Sequence, residues 1–312
     1  EESLEQLVNS SEKSSSLIII EDGQASISAR HIQQKQNEQL SISKLNHIID
    51  DHWSLNSFSS LMRESYSIRQ EQKDRSDDDA ETISHKTPVN LLRFSIRKGA
   101  DTGNLLHDIM EHTNFSSTIV WPIESPLRRF GGLDDAQQSE LTLWLEDAHE
   151  TTLPVISPES VAFKLADLAW SQTLRETEFY FPMHEMQIDS LSACLNVHRG
   201  DIERIKLPDK KQLEGMMRGF IDLIFEHGGR FYVADYKSTH LGDQFEDYAW
   251  QALKNNNEQH YYDLQYLIYS LALHRYLKTR IADYDPAVNF GGVYYLYLRG
   301  MSAENKQPYG VF

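Results

Sequence analysis

The 312-residue chain has a single cysteine, Cys194, which excludes a disulfide framework and a multi-cysteine zinc site. It lacks any long apolar run. The longest uninterrupted aliphatic stretch, Leu17 to Ile20, falls far below the roughly 18 residues that a membrane span needs. Glu1 to Glu5 shows neither a basic n-region nor an apolar h-region, so no signal peptide is read there and a reducing, cytoplasmic setting is expected. Basic charge is also scarce: Lys and Arg total 30 against 47 Asp and Glu, a net charge of -17. Bulk attraction for a polyanion is thereby excluded, and any contact with nucleic acid must be local or bridged by cations. A nucleotide-binding loop is missing too, because Lys237-Ser238 is not preceded by the Gly-x-x-x-x-Gly that a Walker A motif requires.

What is present divides in two. Residues 1–90 are rich in Ser, Gln and Asn and carry the acidic stretch Asp74 to Asp79, a composition expected of a tether. Residues 48–61 are an apolar exception within it and read as a docking segment. From residue 91 onward the pattern is that of one folded domain. Gly103 to Thr113 has apolar residues at helical spacing (Leu105, Leu106, Ile109, Met110), and mostly helical patterns broken by prolines run from Trp121 to Ala169. Strand-like segments follow at Glu178 to Phe181, Gly219 to Phe225, Arg230 to Lys237 and Gly292 to Leu298, with one long helix from Gln259 to Lys278 before the last. The order predicts an α/β domain with a mixed sheet.

Gly228-Gly229 suits the positive φ angles of a two-residue hairpin turn. Such a turn opposes His227 to Arg230, and five rungs further along it opposes Asp222 to Asp235. By strand alternation Phe220, Ile224, Phe231, Val233 and Lys237 share the face of the two carboxylates, and Ile221, Leu223, Phe225, Tyr232 and Ala234 take the other. Both faces are then apolar, so helices should cover each. Opposed carboxylates repel; a divalent cation with oxygen ligands relieves this, and a solvated sheet end with Lys237 pairing one aspartate is the alternative that spacing leaves open. On the first helix His107 and Glu111 lie at one edge of the apolar stripe and His112 and Asp108 at the other, and periodicity does not choose between them. Gln265 and Tyr269 stand one turn apart on the late helix.

Together, Gly103 to Glu111, Glu178, Gly219-Phe220-Ile221-Asp222, Asp235-Tyr236-Lys237-Ser238 and Gln265 to Tyr269 resemble the ordered motifs of the RecB-type branch of the PD-(D/E)xK nucleases. Ile221 stands at the proline position of the "PD" pair. The resemblance covers roughly residues 90–312 and implies a restriction-endonuclease-like core, a mixed central sheet flanked by helices. It further implies a magnesium-dependent deoxyribonuclease whose metal ligands are His107, Asp222, Asp235 and the Tyr236 backbone carbonyl, with Asp222, Asp235 and Lys237 catalytic and Glu178, Gln265 and Tyr269 supporting. Arg93, Arg97, Lys98 and Arg218 are the expected DNA contacts. By the same resemblance the chain is a fragment lacking an upstream motor, its substrate is single- and double-stranded DNA, and its partners are RecC, RecD and the recombinase RecA, with no membrane. A second expectation is a nuclease-fold interaction module that docks to those partners and loads RecA.

Overall fold

The computed structural model describes residues 53–62, 91–116, 124–155, 161–200 and 212–312. The chain divides into two units, Glu1–Ile49 and Asp50–Phe312, the first of which lies outside the described residues together with most of the expected tether. Within the second unit, β1 (Trp53–Asn56) is followed by α1 (Leu92–Ser95), α2 (Ala100–His112), α3 (Glu124–Phe130) and α4 (Asp135–His149). The short pair β2 (Thr152–Leu153) and β3 (Phe163–Lys164) comes next, then β4 (Thr173–Gln187), α5 (Ile188–Arg199), β5 (Gln212–His227) and β6 (Arg230–Lys237). Helices α6 (Trp250–Gln259), α7 (Tyr262–Arg280) and α8 (Pro286–Asn289) precede the last strand, β7 (Phe290–Tyr297). No helix among the described residues is long and apolar enough to cross a membrane.

The sheet is mixed. β4 runs antiparallel to β5, β6 antiparallel to β5, and β7 parallel to β6. Gly228 and Gly229 adopt φ of 60° and 77°, as a two-residue primed turn demands, and His227 opposes Arg230. The 53–56 part of the apolar segment pairs parallel with Glu214 to Met217, and Leu61 and Met62 are buried beyond it.

Two differences from the expected elements have local causes. The long helix expected from Gln259 to Lys278 is α7, which begins three residues later because Tyr261, with a left-handed φ of 56°, caps it and separates it from the additional helix α6. The stretch after His149 is not helical: β2 and β3 pair antiparallel there and cover one end of the core.

Helices cover both faces. On one, Leu105, Leu106, Ile109 and Met110 of α2 and Trp144 and Leu145 of α4 pack with Leu223, Phe225, Tyr232 and Ala234. On the other, Leu264, Ile268, Leu273 and Leu277 of α7 pack with Met217, Ile221, Ile224 and Val233. Burying any one of these aliphatic side chains is worth about 1.5–3 kcal/mol, so the two layers hold the sheet firmly between them.

The strict alternation expected along β5 fails at one rung. Met217 and Ile221 lie on the α7 face, whereas Leu223 and Phe225 lie on the α2 face, so Ile221 does not share the side of Leu223 and Phe220 does not share that of Ile224. The switch falls at Asp222, opposite Glu176 of β4, between the pairs Arg175–Leu223 and Thr177–Ile221. Glu176 has φ of 45°, a conformation that costs a non-glycine residue on the order of 1–3 kcal/mol and turns the strand over. β6 also leaves β5 here. The ladder ends at Leu223–Ala234, and the Tyr236 N–H donates to Asp222 Oδ2 at 2.7 Å instead of to a strand carbonyl. Because β1 borders the same edge of β5 only up to Met217, residues 218–222 have no strand beside them on that edge among the described residues.

Candidate active site

This break in the sheet is where the candidate residues meet. Helix α2 crosses the end of β6 closely enough that a Cβ at Gly103 would lie 3.2 Å from Ser238 Oγ, which explains a glycine inside a helix. The approach carries His107 over the strand: its Nε2 lies 3.0 Å from the Tyr236 carbonyl oxygen and its Nδ1 3.4 Å from Asp222 Oδ2. Arg175 fastens the far end of α2 by donating to the carbonyls of Met110 (2.7 Å) and Glu111 (3.1 Å). His112 is exposed and turns back to the Asp108 carbonyl.

The donor atoms of His107, Glu176 and Asp222 lie within 4.8 Å of one another. A second group of that kind, Asp108, Glu111 and His112, sits on the surface of α2. Asp235 is buried at 2% exposure and lies beside the first group but outside it, with its Oδ2 2.5 Å from Lys237 Nζ in an ion pair without hydrogen-bond alignment. Lys237 in turn donates to Gln265 Oε1 at 3.2 Å and lies 3.9 Å from the centroid of the Tyr262 ring. Gln265 is held from two sides: its Oε1 accepts from the Tyr295 hydroxyl at 2.9 Å and its Nε2 donates to the Tyr269 hydroxyl at 2.9 Å. The late-helix pair therefore orients the lysine.

The remaining expected residues fall elsewhere. Glu178 is exposed and pairs with Arg218 at 2.6 Å; Glu176, two residues earlier, occupies the site. Alternation does not choose between the two glutamates; the structure places Glu176, not Glu178, within reach of His107 and Asp222. Arg93 does not face solvent. It is buried, bonded to Asp147 (2.9 Å) and the Met301 carbonyl, and lies 5.2 Å from the Phe245 ring, so it braces α1 and α4. Arg97 is half-exposed and spends one nitrogen on the Phe130 carbonyl, and Lys98 is exposed beside it.

The electrostatics follow from burial. Asp222 is pushed well above the usual carboxylate range, first by burial and then by the charge of Asp235. Glu176 is raised by burial and by Glu111 and Asp235. Burial lowers His107, which favours the neutral imidazole that a metal ligand must be. Burial is the strongest single influence on Lys237 and would lower it, but Asp235, Tyr262 and Asp222 together outweigh it and the net shift is upward, so the ammonium is retained. Two carboxylates, an imidazole and a backbone carbonyl gathered in a break of the sheet, with raised carboxyl pKa values, are a donor set short of positive charge. Oxygen-rich sets of this kind suit a hard divalent cation.

A mixed sheet between helices, a hairpin presenting the aspartates and Asp-x-Lys at its end define a nuclease core. In agreement, residues 86–308 match the PD-(D/E)XK nuclease superfamily, and the chain belongs to it. It is similar to the RecBCD enzyme subunit RecB of Escherichia coli (strain K12), with 35% identity over 274 residues, covering 86% of this chain and 22% of that protein. The RecB subunit of Haemophilus influenzae (strain ATCC 51907 / DSM 11121 / KW20 / Rd) is 33% identical over 299 residues, 89% of this chain and 24% of its own length. That of Mycobacterium tuberculosis (strain ATCC 25618 / H37Rv) is 30% identical over 233 residues, 66% of this chain and 21% of its length. The chain thus spans about a quarter or less of the relatives that it matches. Nucleases of this superfamily are metal-dependent, and the His107, Glu176 and Asp222 cluster fits that requirement.

Proposed function

We propose that the chain is the magnesium-dependent DNA nuclease part of a RecB-like subunit, hydrolysing phosphodiester bonds during double-strand-break processing and recombinational repair. The observation that carries this reading is the convergence of His107, Asp222 and the Tyr236 carbonyl beside the Asp235–Lys237 pair. His107, Asp222, Asp235 and the Tyr236 carbonyl would hold the magnesium ion, with Glu176 at the same place. When bound, the ion supplies Lewis acidity to the scissile phosphate and lowers the pKa of a bound water.

The chain's own groups do the rest. Lys237, kept protonated by Asp235 and aimed by Gln265, places a fixed positive charge where the phosphate gains negative charge. Tyr269 and Tyr295 hold Gln265, and the Tyr262 and Tyr295 rings face the lysine's ammonium at 3.9 and 5.0 Å. The carboxyls of Asp222 and Glu176 must release their protons before a cation is held. The assembly we propose is RecBCD-like, with RecC and RecD as neighbours. Arrangement favours catalysis over an interaction-only module loading RecA, since surface docking makes no use of a buried lysine aimed at buried carboxylates.

Purified chain incubated with linear single- and double-stranded DNA tests this. Cleavage is expected with magnesium and none with chelator. Equal degradation in chelator, or none in magnesium, would refute it. His107→Ala should reduce cleavage by at least about 10–100-fold, the range for disturbing a metal centre, while His112→Ala leaves the rate unchanged. The opposite outcome would place the centre at the Asp108, Glu111 and His112 group instead.

A further inference from the structure

Beyond the break, β4 and β5 carry an exposed patch that the site above does not use. Glu178 opposes Phe220 and Tyr180 opposes Arg218, two and four residues along β5 from Asp222. Met217 pairs with Phe181 on the α7 face, so Arg218 and Phe220 point to the other, the face from which α2 brings His107. Burial confirms the split: Tyr180 is 51% and Phe220 44% exposed, unusual for two large rings on neighbouring strands.

Between the rings lies Arg218, its guanidinium carbon 5.7 Å from the Tyr180 centroid and 5.3 Å from that of Phe220. Glu178 pins it there, taking a bond from Arg218 Nε (2.7 Å) and one from the Tyr180 hydroxyl (2.7 Å). The patch is therefore rich in π surface yet has its one cation already paired. Such a surface attracts the flat faces of bases more than it attracts phosphates, and every base has such a face. In a duplex those faces are stacked on each other, so only an unpaired strand offers them.

We infer that Tyr180, Arg218 and Phe220 form a stacking platform for unpaired bases of single-stranded DNA, one to a few nucleotides from the bond cleaved at Asp222. The rise of about 3.3 Å per strand residue places Phe220 about 7 Å, and Arg218 about 13 Å, from Asp222 along β5. The strand lies with its bases on the sheet, and the Glu178 carboxylate turns its phosphates away, toward Asp222 and Lys237. This inference rests on the nuclease reading for its choice of ligand, but its test does not require cleavage.

The test is fluorescence anisotropy in chelator, with labelled oligothymidylate, an abasic strand of equal length and phosphate count, and a blunt duplex. The parent should bind the base-bearing strand more tightly than the abasic one. A Tyr180→Ala/Phe220→Ala double variant should bind it roughly tenfold or more weakly while its abasic affinity stays unchanged, the loss expected when one or two stacked bases are released. Phe220→Trp should keep the preference. Leu at both positions, which retains apolar bulk on the strands, should lose it, and thermal melts of the Leu pair guard against unfolding. Equal parental affinity for base-bearing and abasic strands, or an unchanged preference in the Leu pair, would overturn the platform. A parent that shows the preference but does not cleave with magnesium would overturn the nuclease reading alone.

Discussion

Asp222→Asn is expected to lower magnesium-dependent cleavage by on the order of 10³-fold or more while leaving the metal-free protein as stable as the parent or more so. A cation contributes several kcal/mol of transition-state stabilisation, and each 1.36 kcal/mol is tenfold in rate. The fold should tolerate the change because burial and Asp235 already drive Asp222 toward its neutral form. Asparagine imitates that form and keeps an oxygen to accept from the Tyr236 N–H. The sign of the pH dependence follows. A carboxyl whose pKa is raised by folding contributes stability that is fully present below the ordinary carboxylate range and is lost as pH rises through the elevated value. Metal-free parent should therefore lose stability with rising pH across that window, and magnesium, which needs the ionised carboxylate, should bind more tightly as pH rises. In Asp222→Asn both trends should shrink. Melting temperatures against pH, with chelator and with magnesium, measure this; a variant that unfolds without metal, or cleaves at the parental rate, would show Asp222 to be structural.

Lys237→Met is expected to cost both activity and stability. Lys237 has 12% and Asp235 3% side-chain exposure, and their contact is the closest compensation either charge has. Removing one partner of a buried pair strands the other, a loss of about 3–5 kcal/mol for charges so well shielded. Methionine fills the space of the stem, so the loss is electrostatic and should be reduced when magnesium supplies the missing positive charge. Cleavage should fall by about 10²–10³-fold, as for removal of one preorganised group at a developing charge. Metal affinity should persist, since an ammonium is not a ligand. Chelator and magnesium melts beside a magnesium titration separate these effects. If the variant melted like the parent in chelator, the ion pair would contribute nothing to the fold, and if it cleaved normally the lysine would have no part in the reaction.

Much of this site is encoded over short distances. Gly228-Gly229 dictates the hairpin because only residues indifferent to positive φ close a two-residue turn cleanly, and the register of Leu223 to His227 against Arg230 to Ala234 follows from it. The helical spacing of Leu105, Leu106, Ile109 and Met110 places α2 on the sheet, since that stripe has to be buried. Neither signal reaches further than its own element. Which edge of α2 faces the strands could not be read from periodicity, because His107 and His112 flank the stripe symmetrically; the close approach at Gly103 decides for His107.

The sequence by itself determined the order of elements, the turn, and the superfamily to which its motifs belong; the expected opposition of Asp222 to Asp235 does not form, because the ladder ends one rung earlier, at Leu223–Ala234. Tertiary structure alone decided that Glu176 rather than Glu178 joins His107 and Asp222, that Arg93 is a buried brace, and that Phe220 is turned to the outside. The reason is physical. Strand alternation predicts faces only while the backbone stays extended, and at the rung of Glu176 and Asp222 it does not: one residue turns left-handed, the other exchanges a ladder bond for a side-chain one. That exchange depends on β4, β6 and α2 arriving together from distant parts of the chain, and no window of local sequence contains all three.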